Sequence, residues 1–192
     1  MKRVISDVVP AFMRMGAAAG FYESGSYEDG MAAYYRGDYE TALKHFRPLA
    51  KQGNAGAQWV LGRMYYNGQG VLGNDAEAAK WYRKAAEQGN EWAQSFLGYM
   101  YEIRRDYAEA VKWYRKAADQ GFIGAQFALG MMYAKGLGIL PLDLVLAYMW
   151  LSLAAAHGDE TSLRERRDEI SEHMTPDEIA KAQRLARERK PK

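Results

Sequence analysis

A fifteen-residue segment of this chain returns almost unchanged 32 residues further on. AEAAKWYRKAAEQGN, Ala76 to Asn90, reappears as AEAVKWYRKAADQGF, Ala108 to Phe122, with three differences in fifteen positions. A looser copy, ETALKHFRPLAKQGN, spans Glu40 to Asn54, 36 residues before the first, and a more apolar one, VLAYMWLSLAAAHGD, spans Val145 to Asp159, 37 residues after the second. Self-similarity at a period of about 20–50 residues marks stacked repeats, in which each unit buries its apolar face against its neighbours.

A second motif fills the intervals: AQWVLGRMY from Ala57, AQSFLGYMY from Ala93 and AQFALGMMY from Ala125. Ala57, Leu61, Met64 and Tyr65 fall at i, i+4, i+7 and i+8, as do Ala93, Leu97, Met100 and Tyr101, and Ala125, Leu129, Met132 and Tyr133. That spacing predicts a first helix with one buried face. In the second helix, Ala78, Tyr82 and Ala85 recur as Ala110, Tyr114 and Ala117, as Ala147, Leu151 and Ala154, and as Ala42, Phe46 and Leu49. One large side chain flanked by small ones implies closely approaching backbones. Gly62, Gly98 and Gly130 return at mid-helix, where glycine costs about 1 kcal/mol relative to alanine, so each is expected to admit a close contact. Gly53, Gly89, Gly121 and Gly158 instead close the second helices, where a left-handed residue reverses the chain.

The expected architecture is all-α: a right-handed α-α superhelical solenoid of about four helix-pair repeats, residues 28–54, 55–90, 91–122 and 123–159. Residues 160–192 are read as capping helices, and residues 1–27 as an N-terminal segment, either a degenerate export signal or an extra helix. The links within pairs vary in length, with YNGQGVLGND and AKGLGILPLD long and EIRRD short, as expected of outer loops. Changes in the Gln69 loop are therefore expected to be tolerated. Thr175, Pro176 and Glu178 spell the start of a last helix, with N-cap, first-turn proline and capping-box acid.

Composition narrows function. Twenty-six basic and 24 acidic side chains, interleaved, leave a formal charge of +2, which argues against nucleic acid. Without cysteine there is no disulfide, thiolate metal site or Cys nucleophile. The longest uncharged apolar stretch, Leu144 to Ala156, is thirteen residues, short of the roughly 20 a membrane span needs. The N-terminus begins like an export signal, but Asp7 and Arg14 interrupt its apolar segment, which tilts the reading toward the cytoplasm and leaves the periplasm or secretion open.

The run A-Q-x-x-L-G-x-M-Y, followed by G-x-G-V and then A-x-x-W-Y-x-K-A-A-x-Q-G, resembles the Sel-one-like repeat family, a relative of the tetratricopeptide repeat. The resemblance covers about residues 28 to 159, and AYMWLSLAAAHG with the MTPDEIAKAQRLA tail is similar to the end of many small bacterial members. It implies a helical superhelix acting as a protein-protein interaction scaffold or adaptor. The third repeat departs by lacking the glycine loop, and the first reads AAYYRGDYETAL, closer to an ordinary tetratricopeptide unit. Cysteine-rich relatives linked to cell-wall ligands are no guide for a chain without cysteine.

Several motifs suggest chemistry and have structural explanations. GQGVLG, Gly68 to Gly73, matches the dinucleotide fingerprint G-x-G-x-x-G, but that mechanism needs a preceding strand, and here a helix is expected. His45, His157 and His173 lie in different repeats without ligand spacing, so no metal and no cofactor is expected. Trp81, Trp113 and Trp150 share one register, with His45 at the same place in the first repeat, and are read as the seam between repeats. Arg164, Arg166, Arg167, Arg184, Arg187 and Arg189 look like a basic cluster until residues 159–192 are counted: nine charges of each sign, a solvated cap.

The first-helix positions that do not repeat are the candidate site: Trp59, Arg63 and Tyr66; Ser95, Tyr99 and Glu102; Phe127 and Met131. If first helices line the concave side, these side chains form an aromatic groove with Arg63 as polar anchor, suited to a protein or peptide partner. The alternative weighed beside this is packing against the neighbouring repeat. An enzyme is not expected, since no His-centred triad or metal set is present, although a carboxylate pair stays open. The rival function, suggested by some relatives, is a binder or hydrolase of cell-wall fragments or small ligands; a bacterial immunity or envelope adaptor is a further variant of the binding class.

Overall fold

The computed structural model describes residues 24–137, 142–157 and 161–189. Among these are ten helices and no strand: α1 Ser24–Tyr35, α2 Tyr39–Lys51, α3 Ala55–Asn67, α4 Asp75–Glu87, α5 Glu91–Ile103, α6 Tyr107–Asp119, α7 Ile123–Lys135, α8 Leu144–His157, α9 Thr161–Ser171 and α10 Pro176–Glu188. Each helix packs mainly on the one before and the one after it, and α8 receives both α9 and α10. This is an all-α repeat solenoid.

Helix starts follow from short polar caps. Asp38, Asn54, Asn74, Asn90 and Asp106 each accept a backbone N–H from the first turn of the helix they precede. At α10 the box is complete: the Thr175 hydroxyl accepts from the Glu178 N–H, and the Glu178 carboxylate accepts from the Thr175 N–H at 2.8 Å. The second helices end in left-handed glycines, Gly53 at φ 99°, Gly89 at 93° and Gly121 at 92°, as the sequence predicts; Gly158 lies outside the described residues.

The mid-helix glycines are contact points. A Cβ on Gly62 would stand 2.6 Å from the Tyr82 ring, one on Gly98 2.6 Å from the Tyr114 ring, and one on Gly130 2.8 Å from Leu151. The large side chain of each second helix therefore enters the notch left by the glycine of its own first helix, which is what the repeated small-large pattern implied. Gly30 does the same in the first pair, where an added Cβ would meet Phe46 at 3.0 Å. That glycine escaped the repeat reading because its surroundings, DGMAAYY, have lost the A-Q-x-x-L-G signature.

The seam between repeats is polar as well as apolar. Gln58, Gln94 and Gln126 are buried, and each donates to a carbonyl of the preceding second helix: Ala50 at 3.0 Å, Ala86 at 3.0 Å and Ala118 at 3.2 Å. Gln88 and Gln120 then donate to the Gln58 and Gln94 side-chain carbonyls, both at 2.7 Å. Arg83 donates to the hydroxyl of Tyr101, and Arg115 to that of Tyr133 at 3.0 Å, each reaching the next repeat.

The tryptophan register is part of this frame. Trp113 is buried with Ala78 and Tyr82 of the repeat before it and with Ala93 and Leu97 of its own, and Trp81 packs on the core of α1, α2 and α3. Lys84 lies 4.7 Å over the Trp81 ring and Lys116 4.5 Å over that of Trp113. The third ring, Trp150, has Leu153 in the lysine position, and its cation comes from the end of α10: Arg189, 4.5 Å over the ring.

The glycine loop does not behave as a neutral connector. The Tyr34 hydroxyl donates to Gln69 Oε1 at 2.8 Å, and Gln69 Nε2 donates to the Tyr39 hydroxyl at 3.0 Å. Gly70, at φ 70°, lies so close that a Cβ would meet Tyr39 at 2.8 Å. The expectation that this loop tolerates change fails at Gln69, because its amide bridges two helices of the preceding pair. The fingerprint GQGVLG itself follows α3, with no strand before it.

Candidate partner-binding face

The helices carrying the candidate residues, α3, α5 and α7, are the first members of successive pairs. On α3, Trp59 is half-buried and lies 5.1 Å from Tyr82, 5.8 Å from Phe96 and 6.4 Å from Trp92, centroid to centroid. Tyr66 meets Phe96 edge-on at 4.9 Å, and Phe96 meets Tyr99 at 5.6 Å. An aromatic row therefore runs from α3 to α5, and Trp92 extends it toward α7 through Phe122, at 4.4 Å. Edge-to-face pairs at these distances are worth roughly 0.5–1.5 kcal/mol beyond area burial.

Arg63 stands inside the row, 5.6 Å from the Tyr34 centroid and 5.8 Å from that of Trp59. Tyr34 is fixed by Gln69, so α1, α3 and the glycine loop together set the orientation of the guanidinium. Burial raises the Tyr34, Tyr35 and Tyr82 hydroxyls above the usual phenol range, and Arg63 opposes the rise at all three. Tyr66 is also raised, by burial and then by Tyr99 beside it.

The remaining candidates divide. Tyr99 is 42% exposed and borders Ile103, 54% exposed, so the row is open to solvent at the C-terminal end of α5. Glu102 is half-buried and accepts the Tyr114 hydroxyl at 2.7 Å, which keeps that phenol protonated by burial and by the neighbouring carboxylate. Ser95 and Met131 are half-buried. Phe127 is half-buried against Ala154, Ala155 and Leu163, so it braces α7 against α8 and α9. The eight candidates thus form no single uniform surface: Trp59, Arg63, Tyr66 and Tyr99 share one neighbourhood, and Phe127 packs elsewhere.

Sequence reading missed Phe96, Trp92 and Tyr34. The signal for Trp92 was present, since Gly56 and Gly124 stand at its register in the adjacent repeats; Phe96 was hidden by aligning with Val60 and Ala128, which look like core. Tyr34 lies in the degenerate first pair. Among the described residues no group of three His, Asp or Glu side chains is placed to hold a metal ion, and no helix is long and apolar enough to cross a membrane.

A solenoid of helix pairs with glycine-for-ring notches, a glutamine ladder and a tryptophan seam defines a helical-repeat protein. The Sel1 repeat profile matches residues 15–54, 55–90, 93–122 and 123–159, and the chain belongs to that family. It is similar to a Sel1 repeat protein from Oxalobacter formigenes, with a TM-score of 0.71 and 34% identity over 80% of this chain and 63% of that one. It is also similar to two proteins named exopolysaccharide production negative regulator. The one from Rhizobium leguminosarum bv. viciae is 39% identical over 59 residues, which is 29% of this chain and 22% of the relative. The one from Rhizobium meliloti (strain 1021) is 38% identical over 52 residues, 27% of this chain and 19% of the relative. The matched part is thus about a fifth of each regulator's length.

Proposed function

We propose that this chain is an interaction scaffold whose first-helix face, the concave side of the solenoid, receives a segment of a protein or peptide partner. The observation that carries this reading is the contrast between the two helix layers. The second-helix rings that repeat are consumed in the seam, whereas the first-helix residues that do not repeat leave Tyr35, Tyr99 and Ile103 at 40%, 42% and 54% exposure beside the half-buried Trp59, Arg63 and Tyr66. Exposed aromatic and arginine side chains grouped on one surface have the composition of binding hot spots. The sharing of a 52–59-residue stretch with two much longer regulators supports a portable adaptor module; their regulatory activity is not carried over. The working repeats are taken as about 28–54, 55–90, 91–122 and 123–159, with residues from 160 onward as the cap.

Affinity capture from the native cell tests this, using the wild type, a Tyr99→Ala/Ile103→Ser variant and a Leu72→Ser variant in the outer loop. Partners bound in the groove are lost from the first variant and kept by the second, with both folds intact by circular dichroism. Retention of every partner by the α5 variant contradicts the assignment.

A further inference from the structure

Two groups without a protein hydrogen-bond partner lie side by side at the aromatic row. Arg63 is half-buried between the Tyr34 and Trp59 rings, and among the described residues no acid pairs with it and no acceptor takes its N–H groups. Arginines that reach across the solenoid elsewhere have partners, Arg83 and Arg115 in tyrosine hydroxyls and Arg189 in an acid, and those that pair with nothing, such as Arg36, Arg47 and Arg104, are exposed rather than half-buried. Beside it, the Tyr82 hydroxyl is completely buried and has no hydrogen-bond partner, with Arg63, Tyr34 and Tyr66 as its polar neighbours.

The next repeat shows what is missing. Tyr114 is the counterpart of Tyr82, and its hydroxyl donates to the Glu102 carboxylate. At the register of Glu102 the earlier repeat has Tyr66, which supplies no carboxylate. Tyr99, the counterpart of Arg63, likewise supplies no cation in the later repeat. One repeat therefore carries its own carboxylate and no arginine, and the other carries an arginine and lacks the carboxylate.

We infer that Arg63 is the anchor for a carboxylate side chain of an apolar peptide laid along the row Trp59, Phe96 and Tyr99. The inference rests on the scaffold reading above and adds the chemistry of the partner. The guanidinium is already oriented by two rings, so less side-chain freedom is lost when its fork binds a carboxylate. The Tyr82 hydroxyl beside it, buried and without a hydrogen-bond partner, is a second donor, reached when the half-buried Tyr66 ring turns outward. A single carboxylate fits better than a phosphate dianion, because among the described residues Arg63 is the one cation acting on Tyr34, Tyr35 and Tyr82, while Asp75 acts on Tyr66. The apolar neighbours Phe96, Tyr99 and Ile103 favour a peptide over a sugar acid.

The test is a two-dimensional NMR titration of the full chain, following the Arg63 Nε–Hε and Trp59 indole resonances. The probes are acetyl-Leu-Glu-Phe-Leu-amide, its Gln counterpart and glucuronate. The Glu peptide is expected to bind about tenfold or more tighter than the Gln peptide, the scale of one charge-assisted fork. This preference falls to about one in Arg63→Gln, survives in part in Arg63→Lys and shrinks in Tyr82→Phe, a change that removes an unpartnered hydroxyl and leaves the fold intact. Equal binding of the two peptides to the wild type, with Trp59 shifting, overturns the carboxylate anchor and leaves the groove reading standing. A preference unchanged in Arg63→Gln, or glucuronate competing as well as the Glu peptide, also overturns the anchor. No shift with any probe at millimolar concentration overturns both.

Discussion

The guanidinium of Arg189, at the end of the last helix, lies 4.5 Å over the Trp150 ring and donates to Asp119 at 2.8 Å. It takes the place that Lys84 and Lys116 hold over Trp81 and Trp113, supplied here from a different helix because Leu153 stands where the lysine would be. The cap thus completes the repeat chemistry of the last unit and pins α10 to α6. Arg189→Ala is expected to cost about 0.5–2 kcal/mol, the range for a cation over a tryptophan from exposed to desolvated. Urea unfolding checks this, and Arg189→Lys should recover most of the loss if the ring contact dominates over the Asp119 bond.

Gly98→Ala places a Cβ 2.6 Å from the Tyr114 ring. Tyr114 is buried and tied to Glu102, so the ring has little room to yield, and a loss of about 1–3 kcal/mol follows from overpacking. Thermal melts of Gly98→Ala beside Leu72→Ser, at a position 91% exposed, should differ by several degrees.

The Gln94 side chain joins two partners: it donates to the Ala86 carbonyl and accepts from Gln120. Gln94→Leu leaves the buried Ala86 carbonyl without this donor and takes an acceptor from Gln120, at a cost of about 1–3 kcal/mol. Gln69→Ala is expected to destabilise as well, by about 1 kcal/mol, through loss of the Tyr34 and Tyr39 bonds. Equal denaturation midpoints for either variant and the wild type would refute the bridging roles.

Glu91, half-buried at the start of α5, has its carboxyl pushed above the usual range by burial, with a Trp92 hydrogen bond partly opposing. A folded-state value above the unfolded one means that its contribution is most favourable below the unfolded value and is lost as pH rises through the folded one. Glu91→Gln should therefore raise the melting temperature at pH 7, with the advantage shrinking as pH falls through the raised folded-state value and gone once pH is below the normal carboxylate range. An advantage that grows toward acid pH would have the wrong sign.

The frame was legible in the sequence because packing repeats: Gly62 with Tyr82, Gly98 with Tyr114 and Gly130 with Leu151 share one geometry, and periodicity exposes it. The candidate face was legible only in part. Non-repetition drew attention to Trp59, Arg63, Tyr66 and Tyr99, which share a neighbourhood, but it also marked Phe127, which packs against α8 and α9 at a different end of the stack. Gln69 was misjudged because variable loop length conceals a specific hydrogen-bonded amide. Arg105 was equally invisible: it adopts φ 61° where the matching turn of the first pair has Gly37 at φ 79°. Only the backbone shows that the short EIRRD link demands a left-handed residue.

The claim on which the account turns is that the first-helix layer meets the partner while the second-helix layer is framework. In-cell photocrosslinking measures this most directly, with a benzophenone amino acid placed in separate experiments at Tyr99 on α5 and at Lys112 on α6, both solvent-exposed. A discrete crosslinked partner is expected from position 99, abolished by Arg63→Gln/Ile103→Ser, and none from position 112. A partner captured equally well from position 112, or from position 112 alone, would contradict it.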